Sequence, residues 1–290
     1  MSMSDDRPPK PLAPRAALTA GVLCISFSAI FVRWAAVPGV VSAFYRVFIA
    51  ALALLVLWLA HGPKLPDRRT LLLSVLAGIF FGLDLAFWNV SVMITSAANS
   101  TFLAYLAPVW VGLAALFIFK EKMKRSYWPG TALALAGMFV ILGQKNITGL
   151  RFGQGDILAV VSSFFYAGYL LTTQAARRRS GTLLFTTFSV FSSTALLLVI
   201  SLFKAEKLTG FSAKTWLAFL GLGLISHLGG WLAINFALGH TKASVVSVSL
   251  LGQPVVTALA AWPLLGEPLG AAQVAGGLLI LAGVFIVNKS

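Results

Sequence analysis

The sequence predicts an all-α integral membrane protein with ten transmembrane helices arranged as two inverted five-helix repeats. Three observations carry this. Of the 290 residues, 59% are hydrophobic and only 10% are charged, and mean hydropathy is +0.91. A soluble domain is roughly half apolar and a quarter charged. Apolar runs of roughly 20 residues, the length a bilayer-crossing helix needs, recur along the whole chain. The second half also repeats the first without gaps at an offset of 146 positions: Asn89, Thr95, Pro108, Val109, Glu121, Gly130, Gly137 and Phe139 fall on Asn235, Thr241, Pro254, Val255, Glu267, Gly276, Gly283 and Phe285.

In chain order, residues 1–14 are polar and proline-rich and read as a disordered cytoplasmic N-terminus. Spans follow at 15–36, 40–60, 70–92, 96–119 and 127–143, and the first repeat occupies 15–145. The second repeat, 146–290, holds spans at 155–176, 183–203, 214–238, 243–265 and 270–288. The first apolar run is too long for a signal-peptide core and reads as a retained span. Short connections make successive helices antiparallel.

Lys and Arg set the orientation. Of the 22 basic residues, fifteen fall on the side of the N-terminus and five, from Lys145 to Lys214, in the loops opposite, with Arg33 and Arg46 inside spans. This predicts that both termini are cytoplasmic. Each half has an odd number of spans, so the second enters the membrane upside down. The loop KEKMKR at 120–125 is strongly basic, whereas its counterpart GEPLGA at 266–271 has no basic residue. Inverted repeats of this kind build transporters, with the substrate site near the bilayer midplane between the halves. A duplicated structural bundle is the plainer reading of the same pattern.

The net charge of +14 does not imply nucleic acid, because the basic residues form short clusters between apolar runs and no continuous basic face. Cys24 is the only cysteine, so no intrachain disulfide can form. No Cys/His cluster has metal-ligand spacing, and no cofactor is expected.

Two copies of a helix with a mid-span proline, a Glu-containing turn and a glycine-bearing helix resemble the EamA repeats of the drug/metabolite transporter superfamily. The copy SLLGQPVVTALAAWPLLGEPLGAAQVAGGLLILAGVFIV fits best; the copy beginning STFLAYLAPVWVGLAALFIFKEKMKR departs in its basic turn. SAFYRVFIAAL at 42–52 is similar to the early arginine-bearing second span of such proteins. The nearest type is the YddG-like amino-acid exporters. The resemblance implies export of small metabolites, in this branch aromatic and other neutral amino acids, with cationic drugs as the alternative cargo. It implies a multi-pass protein of a bacterial-type inner membrane.

Few residues can carry chemistry. Asp84 is the only carboxylate deep within a span. A charge there costs at least about 2.5–3.5 kcal/mol, so it must face a cavity, a partner or a proton. It reads either as a substrate-ammonium or proton site, or as a packed structural acid. His227, the only mid-span histidine, matches Phe81 under the repeat, one turn before Asp84. Positions 81, 84, 85 and 88 share one helix face, as do 227, 230, 231 and 234. Trp88 and Trp231 therefore accompany the two polar residues, although a packing histidine is an equal reading of His227. Trp110, Tyr105, Tyr166 and Tyr169 also lie deep in spans, where tyrosine hydroxyls need partners; Tyr105 and Tyr166 join the substrate-binding candidates, with simple packing as the equal reading. Trp34, Trp58, Trp128 and Trp216 read as interfacial anchors, and Arg33 and Arg46 as snorkelling side chains, with an electropositive outer vestibule as the alternative. Asn89 and Asn235 read as interhelical hydrogen bonds, and Gly130, Gly137, Gly276 and Gly283 as close-contact positions of scaffold or dimer-contact helices.

Pro108 and Pro254 are the gating candidates, expected to bend the fourth and ninth helices by deleting a backbone bond; static kinks are the plainer reading. The expected function is alternating-access export of small amphipathic metabolites. No P-loop is present for ATP, and no paired acids, HExxH or Ser/His constellation for an enzyme. A single polar level argues against a channel.

Overall fold

The computed structural model describes residues 12–63, 65–95, 97–143, 153–266 and 269–289. The junction between the two predicted repeats at 145/146, Glu267 of the GEPLG turn, and residues 1–11 lie outside the described residues. All regular structure among the described residues is helical. Among the described residues, nine helices are long and apolar enough to span a membrane, and a shorter apolar helix, Tyr127–Ile141, stands where the fifth span is predicted. The first helix begins at Leu12, inside the segment read as disordered.

The outer surface is apolar: Val56, Leu72, Phe203, Leu278 and Phe285 are all exposed. The interior, by contrast, is rich in small polar residues. Ser192 Oγ and Ser193 Oγ of the seventh span (Thr182–Phe203) donate to the carbonyls of Val75 and Gly78 in the third (Arg68–Ile94), at 3.0 and 2.8 Å. Lipid tails are as apolar as leucine, so close backbone approach and such bonds hold membrane helices together. Helix ends follow local chemistry. Asp67 caps the third span by accepting from the Arg69 and Thr70 amides, and Ser212 caps the eighth through the Thr215 amide. Gly266, at φ 69°, supplies the left-handed residue that ends the ninth.

Four spans are not simple helices. The first divides into Leu12–Ser26 and Ser28–Ala35 around Phe27. The fourth divides into Ala97–Ala104 and Ala107–Phe117, the ninth into Ala243–Leu250 and Gln253–Leu265. The unwound pairs, 105–106 and 251–252, are 146 residues apart, like the sequence repeat. This corrects the expectation of continuous, proline-bent helices. Pro108 and Pro254 sit in the first turn of each second piece, where the amide has no intrahelical acceptor in any case. The eighth span runs Ala213–Leu220, then a π-helical stretch Gly221–Gly229, then Gly230–Leu238.

The third span packs against the sixth (Gln154–Arg177) and the seventh; the eighth packs against the first and second (Gly39–Ala60). Each half thus inserts its third span between the first two of the other. The fifth and tenth (Ala271–Lys289) spans cross antiparallel on their glycines. A Cβ on Gly137 would stand 2.4 Å from the Gly276 carbonyl oxygen, and one on Gly283 2.4 Å from that of Gly130. These helices can touch only as glycines.

Candidate functional site

Phe81 of the third span stands at the centre of the bundle. Its ring lies 4.8 Å from Tyr169 on the sixth span, and 5.5 and 4.9 Å from His227 and Trp231 on the eighth. Trp231 also meets Tyr169 edge-on at 5.1 Å and Tyr166 at 6.1 Å. Phe81 and His227 are repeat counterparts that touch each other, which places them where the halves meet. The glycines explain how the helices come this close. A Cβ on Gly223 would stand 2.6 Å from Ile49, and one on Gly230 2.6 Å from Ile25. The π-helical stretch between them widens the turn that carries His227, and such irregularities are frequent at functional sites.

One turn along from Phe81, Asp84 Oδ1 accepts a 2.5 Å hydrogen bond from Ser162 Oγ of the sixth span. Asp84 lies within electrostatic reach of Arg46, and so do Tyr105, Tyr166, Tyr169 and His227. Five spans therefore converge on one charged level: the second with Arg46, the third with Asp84, the fourth with Tyr105 at its unwound turn, the sixth with its tyrosines, and the eighth with His227.

The placement of Arg46 corrects the snorkelling reading. Arg46 is half-buried, but its Nε is buried and so are Val40 to Tyr45 and Val47 around it, which leaves little path to lipid. Depth along the helix was readable from sequence; the face was not. Arg33, by contrast, is exposed. Of the sequence candidates, Asp84, Tyr105, Tyr166, His227 and Trp231 gather here. Trp88 is half-buried one turn beyond Asp84, and among the described residues no ring stacks on it. Ser162, Tyr169 and Phe81 complete the site. The sixth-span serines and tyrosines offered no motif, and only their mid-span polarity marked them.

Several polar atoms at this level are buried without a hydrogen-bond partner among the described residues: both ring nitrogens of His227, Trp231 Nε1 and Arg46 Nε. Buried polar groups are nearly always satisfied, so a cluster of orphans marks a place where something polar is received. Asn235, by contrast, is fully engaged. It accepts from Tyr169 Oη at 2.9 Å and donates to Thr186 Oγ1 at 3.1 Å, while its carbonyl receives Arg177 Nε at 3.1 Å. It is the interhelical bond expected. Asn89 is not: its Nδ2 donates to Leu85 O in its own helix at 2.6 Å, and its amide packs onto Gly39. The repeat matched the residue but not its surroundings.

The unwound turns are braced from outside. Tyr127 Oη donates to the Pro108 carbonyl at 2.6 Å, and Trp110 Nε1 to Ser163 Oγ at 2.7 Å. In the other half, Ser26 Oγ donates to the Gln253 carbonyl at 3.2 Å, and Thr257 Oγ1 to the Ser26 carbonyl at 2.8 Å. The break in the first span is thus joined to that in the ninth. At the end of the bundle carrying the basic connections, Glu121 forms ion pairs with Lys242 at 3.2 Å and Arg178 at 3.8 Å. Beside them lies a small cleft lined by Val111, Ala115, Gln174 and Ala243 among others.

A multi-pass helical bundle with a charged, aromatic mid-span site reached by broken helices defines a membrane transporter. The chain belongs to the EamA-like transporter family, whose model matches residues 16–143 and 153–289. It is 24% identical over 248 residues to the uncharacterized transporter YdfC of Bacillus subtilis strain 168, covering 83% of this chain and 79% of the relative. It is 26% identical over 264 residues to the uncharacterized inner membrane transporter YedA of Escherichia coli K12, covering 86% and 81%. To the pseudopaline exporter CntI of Pseudomonas aeruginosa UCBPP-PA14 it is 22% identical, covering 88% of each. A solved crystal structure shares the fold at a TM-score of 0.82 and 18% identity, over 97% of this chain and 98% of that one.

Proposed function

We propose that the protein is a secondary exporter of small amphipathic metabolites, foremost aromatic and other neutral amino acids, as in the YddG-like exporters. It works by alternating access between two inverted five-helix halves in an inner membrane, with both termini cytoplasmic. The observation that carries this is Asp84, a carboxylate held by Ser162 at the level of Tyr105, Tyr166 and the Phe81–Tyr169–Trp231 ring cluster. An anion within an aromatic lining suits an ammonium bearing an apolar or aromatic side chain. A relative named as an exporter supports the direction. The contact of Phe81 with His227, and the reciprocal contacts Gly137–Gly276 and Gly130–Gly283, support a two-fold relation between the halves. The second reading, efflux of organic cations, draws on the same carboxylate and aromatics. Purified protein in liposomes should counterflow radiolabelled phenylalanine saturably, with tryptophan and leucine competing. Saturable flux of an organic cation without amino-acid counterflow would replace the first reading with the second.

A further inference from the structure

Asp84 does not stand alone, and its companion narrows the cargo. Arg46 and Asp84 are brought to one level from the second and third spans and attract each other. Yet among the described residues they do not form an ion pair, and the Asp84 carboxylate is instead bonded by the neutral Ser162 hydroxyl. Arg46 Nε is buried and donates to no partner among the described residues. A purely structural buried pair would close, because a buried charge is stabilised only by direct contact and full hydrogen bonding. Here a cation and an anion interact without closing into an ion pair, with unpartnered polar atoms of His227 and Trp231 at the same level.

Resting on the Asp84 reading above, we infer that Arg46 is the carboxylate-recognising residue of the substrate site. Arg46 and Asp84 together then form a dipolar receptor for the α-carboxylate and α-ammonium of one zwitterion. The guanidinium fork matches a carboxylate in two parallel hydrogen bonds, as a lysine ammonium does not. A zwitterion inserted between the two side chains neutralises both and satisfies the exposed face of each. A simple organic cation meets Asp84 but leaves Arg46 unpaired and is repelled by it. A simple carboxylate meets the converse penalty. Specificity for the amino acid backbone thus arises from what the site leaves unsatisfied with any other ligand.

The test is a competition series against phenylalanine counterflow in proteoliposomes, using phenylalaninamide, which lacks the carboxylate, and phenylpropionate, which lacks the ammonium. Wild-type protein should favour phenylalanine over either analogue by roughly 10- to 100-fold, the range of one charged hydrogen-bonded contact. In Arg46→Gln the preference over phenylalaninamide should collapse toward unity while the preference over phenylpropionate persists. Asp84→Asn should do the reverse. Arg46→Lys, which keeps the charge, should retain part of the discrimination and stands in if the glutamine variant fails to fold. An unchanged preference over phenylalaninamide in folded Arg46→Gln overturns the assignment of Arg46 and leaves amino-acid export standing. Wild-type protein that counterflows no α-amino acid overturns both.

Discussion

Replacing Glu121 with glutamine should open the basic end of the bundle. Glu121 lies between the fourth and fifth spans, Arg178 after the sixth, and Lys242 before the ninth, so one carboxylate ties three connections together. Beneath it the Ala243 amide donates to Gln174 Oε1 at 2.8 Å, joining the sixth span to the ninth. The magnitude follows from exposure. The Glu121 side chain is 22% exposed, but those of Lys242 and Arg178 are 54% and 64% exposed. Solvent screens such pairs to roughly 0.2–1 kcal/mol each. Two pairs on one carboxylate, plus the repulsion between the cations left behind, give about 0.5–2 kcal/mol. On the proposed alternating access, the two states should then redistribute about 2- to 30-fold. The assay places a cysteine at Ala175, in the wall of the cleft beside these residues, in a Cys24→Ala background, and follows its reaction with a hydrophilic maleimide in detergent. Glu121→Gln should speed labelling by that factor, and raising the salt should bring wild type part of the way toward the variant. Equal labelling rates in both proteins at low salt would refute the idea that these ion pairs hold that end shut.

Three further outcomes follow. With Cys24 removed, cysteines at Thr209 should label from outside intact cells and cysteines at Pro66 or Met123 should not; the opposite pattern would reverse the proposed orientation. Asp84→Asn should weaken substrate binding at least tenfold if the carboxylate holds the ammonium, whereas loss of pH-driven accumulation with intact exchange would make it a proton carrier. Pro108→Ala and Pro254→Ala should each let a broken span wind through its turn, lowering turnover and biasing crosslinks toward one access state; unchanged turnover in both would leave the breaks as static shape.

The architecture was legible because it rests on one-dimensional signals. Apolar run length located the spans, and the 146-residue offset matched not only residues but the unwound pairs 105–106 and 251–252. What escaped depends on neighbours. Nothing within residues 12–35 marks a break at Phe27, which becomes intelligible only through the Ser26 contacts with Gln253 and Thr257, more than two hundred positions away. The π-helical turn at Gly221–Gly229 had a trace in its clustered glycines, but the reason for them is the approach of Phe31, Ile49 and Ile25 from the first two spans. Arg46 was visible as a charge in a span. Its inward direction followed from burial all around it, a property of packing and not of the residue.

On the proposed inverted repeat, the distribution of charge acquires a reason. Elements that move against each other should be symmetric, since each half must offer the other equivalent contacts in both access states. The glycine crossing of the fifth and tenth spans and the paired helix breaks have this property. A zwitterion is not symmetric, so its receptor cannot be. The repeat positions equivalent to Arg46 and Asp84 are Ser192 and Gly230, both uncharged. Ser192 is spent on the Val75 carbonyl, and Gly230 on close contact with Ile25. One half supplies both charges, and the other supplies His227, Trp231 and the sixth-span hydroxyls and rings against which they are set. Moving one charge across, with Asp84→Gly and Gly230→Asp together, would be expected to damage folding as well as recognition, because a Cβ at Gly230 would already stand 2.6 Å from Ile25.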